Sequence, residues 1–357
     1  MTGDFRGDAT FKSADVLVTG HTGFKGSWLT AWLHDLGARV HGYALPDTPS
    51  PSMFERCDLQ GLLSSDIRGD LRELESVTQA VATSRPRFVF HMAAQSLVRR
   101  SYAEPLQTFA TNVLGTANLL EGLRRSAVSP CTVVIVTSDK CYENREWPWG
   151  YREDDPLGGH DPYSASKACQ EIVARAYQRS FFSGGNIRVL RARAGNVIGG
   201  GDWAEDRLVA DFVRAIGAGE AVKCRNPTAV RPWQHVLEPL SGYLRLAAMA
   251  GAPRVKDEYN FGPTDADITS VSELLDGLVA RWPDSSWVRG EDSSAPHEAG
   301  LLALSIERAR FDLGWRPTWR LADALDALVE WYRAEMQGAS ASRLRELTLE
   351  QIRRFEA

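Results

Sequence analysis

The sequence predicts an α/β fold, a doubly wound parallel sheet with a smaller mixed C-terminal lobe. Three observations support this prediction. Short apolar runs alternate with amphipathic helical segments between residues 15 and 194. The first of these runs leads directly into a turn with three regularly spaced glycines. Beyond residue 194 the alternation gives way to clustered glycines, scattered tryptophans and separate amphipathic segments.

The first strand, helix and strand follow one another without a break. Residues 15–19 form a short apolar run, residues 27–36 place their apolar side chains on one helical face, and residues 39–43 form a second strand candidate. This order implies parallel pairing through a right-handed crossover. Further helices are expected near residues 71–82, 106–125 and 163–182, and further strands near 87–91, 131–137 and 186–193.

The composition excludes several classes of protein. With 43% hydrophobic and 24% charged residues among 357, the chain is neither disordered nor fibrous. A net charge of -5 gives no general attraction to nucleic acid or to anionic membranes. No apolar run approaches the ~20 residues of a membrane span, and residues 1–8 are too polar for a signal peptide. Because the net charge is negative, any site for an anionic ligand must depend on a local group of basic residues.

Cysteine and lysine usage narrows the expectations further. The five cysteines are odd in number and form no CxxC pair, which predicts reduced thiols, a cytoplasmic protein and no metal site. Lysine is scarce among the 41 basic residues. The six lysines are Lys12, Lys25, Lys140, Lys167, Lys223 and Lys256.

The glycine turn has the spacing and the context of a dinucleotide site. Gly20, Gly23 and Gly26 stand between a buried strand and a helix N-terminus, where glycines allow a tight turn, close approach of a pyrophosphate and helix packing. Spaced glycines also occur in an ordinary turn and helix cap. The second strand is followed only by a late acid, Asp47, so the residues leave NAD against NADP open. Asp70 is a candidate for the adenine amino group or for a helix N-cap.

Tyr163 and Lys167 lie four residues apart at the start of a predicted helix, hence on one face. An adjacent ammonium is expected to lower the pKa of the phenol, so that the tyrosine can accept a proton from an alcohol. An incidental pair on a surface helix is the alternative. Ser138 ends the preceding strand, and ligands of doubly wound sheets bind at the carboxyl ends of strands.

Ser138, Tyr163 and Lys167 match the catalytic set of the short-chain dehydrogenase/reductase superfamily, and the long C-terminal part resembles its extended, nucleotide-sugar-modifying branch. Over nearly its whole length the sequence resembles the CDP-glucose 4,6-dehydratase family. The matching strings are HTGFKG (21–26), FHMAAQ (90–95), TSDKCY (137–142), NREW (144–147), RAGNVIGGGDW (193–203) and RPWQH (231–235).

The resemblance implies a lyase that retains NAD and converts CDP-glucose to CDP-4-keto-6-deoxyglucose. In the implied order, C4 is oxidised, water is eliminated across C5 and C6, and the same hydride returns to C6. The implied catalytic groups are Ser138, Asp139, Lys140, Tyr163 and Lys167. The expected cofactor contacts are Gly20, His21, Thr22, Gly23, Phe24, Lys25, Gly26, Asp70, Leu71, Ala93, Ala94, Gln95, Thr111, Tyr163 and Lys167.

Asp139 and Lys140 distinguish elimination from simple redox chemistry. We assign Lys140 as the base at C5 and Asp139 as the acid at O6. A neutral amine and a protonated carboxyl hold the same number of protons as the ion pair, and burial favours both neutral forms. The alternative is a structural salt bridge at a strand end.

The expected domains are residues 14–194, with returning segments near 231–262, for the NAD-binding Rossmann unit, and residues 195–230 and 263–357 for the lobe that binds the nucleotide sugar. Amphipathic segments near 208–216, 271–280 and 321–331 belong to that lobe. The candidate substrate contacts are Ser96, Asn196, Arg207 and Arg231.

Several of these assignments have a simpler alternative. Ser96 also fits a helix cap, Arg207 a solvated helix charge, and His21 a histidine satisfied within the turn. Two other functions stay open: a dehydratase or epimerase of another nucleotide sugar, and a non-catalytic NAD-binding sensor. Helices near 106–125 and 163–182 are candidates for a homodimer interface or a higher homo-oligomer.

Overall fold

The computed structural model describes residues 9–47, 50–126, 128–264, 267–290 and 300–357. The strands are β1 (Asp15–Thr19), β2 (Arg39–Ala44), β3 (Ser65–Arg68), β4 (Phe88–His91), β5 (Cys131–Val136), β6 (Ile187–Ala194), β7 (Val197–Ile198), β8 (Val222–Cys224), β9 (Val230–Arg231), β10 (Gln234–His235), β11 (Glu258–Phe261), β12 (Thr269–Ser270) and β13 (Trp287–Arg289). The α-helices are α1 (Phe24–Asp35), α2 (Met53–Arg56), α3 (Leu74–Ser84), α4 (Val98–Ala103), α5 (Pro105–Phe109), α6 (Gly115–Arg125), α7 (Pro162–Ser180), α8 (Leu208–Ala218), α9 (Leu237–Ala248), α10 (Val271–Arg281), α11 (Leu321–Met336) and α12 (Ala341–Glu356).

The central sheet has seven parallel strands in the order β11-β6-β5-β4-β1-β2-β3. The chain runs outward from β1 to β3 on one side and from β4 to β11 on the other. The strand order therefore reverses between β1 and β4, the position at which sheets of this type open a crevice for ligands. The predicted doubly wound α/β fold is confirmed.

Side chains of the central strands alternate between two apolar layers. In β1, Val16 and Val18 join one buried cluster with side chains of α1 and α9, whereas Leu17 joins another with side chains of α3, α6 and α7. Period-two alternation along a strand sends neighbours to opposite faces of the sheet. Both faces are covered, which is why these strands are continuous apolar runs in the sequence.

Two predicted helices differ in detail from the observed ones. The helix expected near residue 71 begins at Leu74, because the Asp70 carboxylate first accepts the backbone N–H of Arg72 at 2.9 Å and closes a turn. The long helix expected over 106–125 is present as α5 and α6, joined by a π-helical turn at Ala110–Leu114. That turn faces α7, which carries Tyr163.

The chain after β6 builds a second region and also returns to the sheet. Three small two-stranded pieces and helices α8, α10 and α11 follow β6, while β11 returns to form an edge of the central sheet. Helix α12 packs against α1, where Trp32 Nε1 donates to Glu356 Oε1 at 2.9 Å. One buried apolar cluster runs through both regions. The division at residue 194 stays a prediction.

Candidate active site

A cavity of about 1430 Å³ opens at the carboxyl ends of the parallel strands. The ends of four parallel strands and the segments that follow them form its wall. These are the glycine turn after β1, residues 92–96 after β4, residues 137–140 after β5, and residues 194–196 at the end of β6. The N-terminal residues of α7 and α8 line it as well. Residues distant in sequence converge here because parallel strands all end at one edge of the sheet.

The glycine turn is built so that side chains would not fit. Gly20 has a φ of +75°, and a Cβ on it would lie 2.7 Å from the backbone nitrogen of Ala93. A Cβ on Gly26 would lie 2.1 Å from the Gly20 carbonyl oxygen. Gly23 directly precedes the first residue of α1. The turn therefore presents backbone and the N-terminus of α1 to the cavity, an arrangement that suits a pyrophosphate.

His21 is the one predicted cofactor residue whose side chain is absent from the cavity wall. Its imidazole is buried, and Nε2 lies 3.0 Å from Asp66 Oδ1 while the ring packs edge-on against Phe54. Burial lowers the pKa of His21. These contacts hold the imidazole against Asp66 of β3 and away from the cavity, and they correct the expectation that its side chain flanks the cofactor.

Asp70 reaches the cavity wall but does not cap a helix. Both carboxylate oxygens face the guanidinium of Arg72, and Glu73 is the N-cap residue of α3. Hydrogen bonds with Arg72 hold the pKa of Asp70 below its usual range. An ionised carboxylate at this position can accept hydrogen bonds from an amino group.

Ser138, Asp139 and Lys140 form a tight turn at the end of β5. The Ser138 hydroxyl donates to Asp139 Oδ1 at 2.8 Å and accepts the backbone N–H of Lys140 at 3.2 Å. Burial raises the pKa of Asp139 and lowers that of Lys140, each against the opposing charge of the other. Asp139 Oδ2 is buried without a hydrogen-bond partner in the described part of the chain.

Within the described residues no carboxylate lies within 4.0 Å of Lys140 Nζ, so the Asp139–Lys140 salt bridge that was the structural alternative is not formed. Gly195 leaves room for the Asp139 carboxylate, because a Cβ at position 195 would lie 3.1 Å from Asp139 Oδ2. Asp139 and Lys140 both line the cavity. The neutral forms that acid–base work requires are the ones that their burial favours.

Tyr163 and Lys167 are both buried on the cavity side of α7. Asp161 caps this helix, accepting the backbone N–H of Ser164 at 2.9 Å. Lys167 Nζ donates to the Val136 carbonyl at 3.3 Å and lies 5.9 Å from the centre of the tyrosine ring. The two residues therefore share the geometry that their spacing predicted.

The electrostatic expectation for this pair is wrong. Burial raises the pKa of Tyr163 to about 12, although Ser138 and Arg207 act to lower it. Lys167 does not offset the burial, because desolvation and the charge of Lys25 lower its own pKa to about 7. An ammonium that is itself desolvated supplies too little positive charge to stabilise the phenolate.

Several basic side chains lie close together at the cavity wall. Burial and the neighbouring Arg207 lower the pKa of Lys25 to about 8, and the charges of Asp139 and Asp202 oppose this shift. Arg207 and Arg231 both act on the Lys140 amine. A diphosphate would be attracted here in spite of the negative charge of the whole chain.

A family model described as GDP-mannose 4,6 dehydratase matches residues 17–328. The chain belongs to this family. A CDP-glucose 4,6-dehydratase of Salmonella typhimurium is 48% identical over 90% of this chain and 91% of its own length. A dTDP-glucose 4,6-dehydratase of Streptomyces antibioticus is 30% identical over 89% and 92% of the two chains. The structure of the Thermus thermophilus UDP-glucose 4-epimerase complex with NAD has a TM-score of 0.75 and 26% identity, over 89% of this chain and 98% of that one.

In this member of the GDP-mannose 4,6-dehydratase family, the cavity wall includes every predicted site residue except His21. The residues that it brings together are Gly20, Thr22, Gly23, Phe24, Lys25, Gly26, Asp70, Leu71, Ala93, Ala94, Gln95, Ser96, Thr111, Ser138, Asp139, Lys140, Tyr163, Lys167, Asn196, Arg207 and Arg231. Across the ranges that the structure covers, no group of three or more His, Cys, Asp and Glu side chains could hold a metal ion, and no helix has both the length and the apolar character needed to cross a membrane.

Sequence reasoning missed two features of the site. Asp206 lies 3.6 Å from Arg99 and 3.8 Å from Arg225, so it connects the segment after β4 with the second region at the cavity wall. No motif marks these three residues. Glu171 is buried behind the cavity, and its position one helical turn after Lys167 is a spacing signal that the sequence did contain.

The buried amine of Lys167 predicts a pH dependence of stability. Its pKa is about 7 in the folded chain and about 10.4 in an unfolded one. Between these values the unfolded state binds more protons, so the free energy of unfolding rises with pH. Relative to Lys167→Met, the wild type should gain about 1.4 kcal/mol per pH unit from about pH 7 to about pH 10.

Urea unfolding at a series of pH values measures this difference. Lys256→Met is the matched control, since Lys256 is exposed and its replacement should leave a difference from wild type that does not vary with pH. A difference between wild type and Lys167→Met that is equally flat would contradict the prediction.

Proposed function

We propose that this protein converts CDP-glucose to CDP-4-keto-6-deoxyglucose and retains NAD throughout the reaction. The observation that carries the proposal is the pair of the buried Asp139 and the half-buried Lys140, which line the cavity wall directly after Ser138 and on the same cavity as Tyr163. Redox chemistry at C4 alone needs no second acid and base. The 48% identity to a CDP-glucose 4,6-dehydratase supports the same assignment.

The residues at the glycine turn fit NAD. Gly20 and Gly26 leave room for the pyrophosphate against the backbone, and the N-terminus of α1 faces it. Asp70 would accept from the adenine amino group, and Thr111, Tyr163 and Lys167, which line the same cavity, would hold the nicotinamide ribose. When bound, NAD supplies a hydride acceptor with a positively charged ring. That the relative from Thermus thermophilus was solved with NAD supports this choice.

In the oxidation at C4, Tyr163 takes the proton of the sugar O4 hydroxyl, which requires its phenolate form. The positive charge of NAD, when bound, would oppose the effect of burial on the pKa of Tyr163. Ser138 lies beside Tyr163 and donates to the ketone oxygen that develops, for which its hydroxyl must turn away from Asp139. The hydrogen bond to the Val136 carbonyl holds Lys167 in position, and the protonated fraction of its amine contributes positive charge beside Tyr163. The 4-keto group then makes the proton at C5 acidic.

In the elimination, Lys140 takes the proton from C5 and Asp139 gives a proton to the leaving O6. One C–H bond and one C–O bond break, a C5–C6 double bond forms, and water leaves. Lys140 ends as an ammonium and Asp139 as a carboxylate. As the hydride returns to C6, Lys140 gives its proton back to C5, and the proton that Tyr163 took from O4 restores the acid form of Asp139. The cavity favours the starting forms because both groups are desolvated.

The second region of the protein would hold the nucleotide diphosphate. Arg207 and Arg231 line the cavity near the catalytic groups, and a guanidinium is suited to bidentate contact with phosphate. Ser96 and Asn196 line the same wall and can meet sugar hydroxyls. In this proposal the cofactor is held by residues 14–194 with 231–262. The nucleotide sugar is held by residues 195–230 with 263–357.

A panel of nucleotide sugars tests the substrate. Purified protein is given CDP-, dTDP-, UDP- and GDP-glucose, and the keto product is measured together with net release of reduced cofactor. CDP-glucose should react fastest without net reduction of NAD. A markedly faster reaction with another nucleotide would assign the protein to that sugar, and an epimer without loss of water would assign it to the epimerases. Absence of product from all four would indicate a binding protein.

Lys140→Met tests the base. The 4-keto-6-deoxy product still carries an acidic C5 proton, so its exchange with deuterium from D₂O isolates the action of the base from the redox step. We expect Lys140→Met to slow exchange and product formation by about 10²–10⁴-fold, the usual contribution of a general base. Proton NMR of the product in D₂O measures the exchange.

Lys12→Met is the control for this experiment, because Lys12 is exposed and lies outside the cavity wall. It should exchange at the wild-type rate. Exchange at that same rate by Lys140→Met would remove lysine from the role of base.

We further propose that the enzyme is a cytoplasmic homodimer. Large apolar side chains are exposed on α5, α7 and the π-helical turn between α5 and α6. They are Leu106 at 84%, Leu114 at 50% and Ile172 at 49% exposure. A second copy of the same face would cover them, as two-fold interfaces do. All five cysteines are free thiols, which suits a reducing compartment.

Leu106→Glu tests the dimer. A buried glutamate at the centre of the proposed interface should shift the protein from dimer to monomer in sedimentation velocity, since a desolvated charge without a partner is costly. Phe311→Glu is the control, because Phe311 is 81% exposed but lies on another part of the chain. A monomeric wild type, or a dimer that Leu106→Glu leaves intact, would overturn this interface.

A further inference from the structure

A bidentate ion pair lies buried behind the cavity, between α7 and β6. Glu171 accepts from Arg193 Nε at 2.9 Å and from Arg193 Nη2 at 2.8 Å. The two side chains are 1% and 3% exposed. Arg191 adds a third contact to the same carboxylate at 3.1 Å. None of these side chains lines the cavity, so the proposed chemistry does not use them directly.

The ion pair is hydrogen-bonded to both ends of the turn that carries Asp139 and Lys140. On the N-terminal side, Thr137 Oγ1 donates to Glu171 Oε1 at 2.5 Å. On the C-terminal side, Arg193 Nη1 donates to the Tyr142 hydroxyl at 2.7 Å, and the guanidinium lies 4.9 Å from the centre of that ring. The four residues between Thr137 and Tyr142 are therefore held from both flanks by one charge pair.

One member of this ion pair, Glu171, lies on α7, the helix that carries the redox groups. Glu171 follows Lys167 by four residues and Tyr163 by eight, so all three lie along one side of α7. Lys167 also reaches β5, through the Val136 carbonyl just before Thr137. The position of α7 relative to the end of β5 is thus fixed by adjacent contacts from Lys167 and Glu171.

We propose that Glu171 and Arg193 are positioning residues, which set the elimination groups Asp139 and Lys140 at a fixed place relative to the redox groups Tyr163 and Lys167. The inference rests on the proposed function. The proposed reaction needs O4, C5 and O6 of one bound sugar to meet three different side chains. A misplacement of about 1 Å in such an arrangement can cost about 10²-fold in rate.

A charge pair suits this task because its geometry is directional. A bidentate guanidinium–carboxylate contact fixes both distance and plane, whereas an apolar contact of the same size allows sliding. Further hydrogen bonds fix the groups around the pair. Arg193 Nη1 donates to the Glu153 carbonyl at 2.9 Å, and the Tyr142 hydroxyl donates to Asn260 at 2.7 Å. The turn cannot shift without breaking contacts that are buried from water.

Variants that release one end of the turn test the proposal without breaking the charge pair. Tyr142→Phe removes the contact with Arg193, and Thr137→Val removes the contact with Glu171. We expect each to slow C5 deuterium exchange of the 4-keto product by about 10-fold or more. The rate of C4 oxidation in a single turnover should stay near wild type, because Lys167 still connects α7 to β5 through the Val136 carbonyl. A general loss of structure would lower both rates together.

Tyr259→Phe is the matched control. Its hydroxyl is also hydrogen-bonded, donating to Asp312 at 2.9 Å, but it has no contact with the turn. It should leave the ratio of exchange to oxidation unchanged. The double variant Glu171→Leu with Arg193→Met removes the pair and leaves Arg191 its other carboxylate partner, Glu258, and we expect it to slow C5 exchange by about 100-fold.

The proposal is overturned if Tyr142→Phe and Thr137→Val both exchange the C5 proton at the wild-type rate, or if oxidation and exchange fall by equal factors. Retention of wild-type exchange by the double variant would overturn it as well. Failure of the proposed function is a separate result, because wild-type protein would then give no 4-keto product from any nucleotide sugar.

Discussion

Burial of charge at the carboxyl edge of the central sheet is the constraint on which the site depends. Asp139, Lys140 and Lys167 all lie in a cavity that desolvates them, and in each case desolvation is the largest influence on the pKa. It shifts the carboxyl and the amines toward their neutral forms. Neutral amine and protonated carboxyl are the states from which the proposed elimination would start, so the enclosure of the cavity supports that proposal.

The same constraint explains where the charged residues are placed. The chain as a whole is negative, yet Lys25, Arg207 and Arg231 gather at one cavity that is proposed to receive a diphosphate. Burial lowers the pKa of Lys25, and repulsion from Arg207 lowers it further. Anionic ligands would relieve that repulsion. Behind the cavity, the guanidinium groups of Arg193 and Arg191 offset the cost of burying the Glu171 carboxylate.

Most of the fold could be predicted from sequence because its signals are local. Alternating apolar runs and helical periodicity predicted the strands and helices of the parallel sheet, and the glycine spacing predicted the turn at Gly20. Local signals failed where a position depends on distant neighbours. His21 turned to Asp66, a residue of β3, and the pKa of Tyr163 followed its burial rather than the lysine one helical turn away. Neither effect is visible in spacing alone.

By itself, the sequence determined the fold class and the resemblance to nucleotide-sugar dehydratases, and every site residue that it singled out except His21 lines the cavity. These follow from patterns within single segments, such as the four-residue interval between Tyr163 and Lys167. Only the tertiary structure decided how the segments act on one another. It brought Arg193 of β6 against Glu171 of α7 and connected that pair to Thr137 and Tyr142. Contacts between distant segments exist only once the chain has packed, because desolvation and directional hydrogen bonds depend on the completed interior.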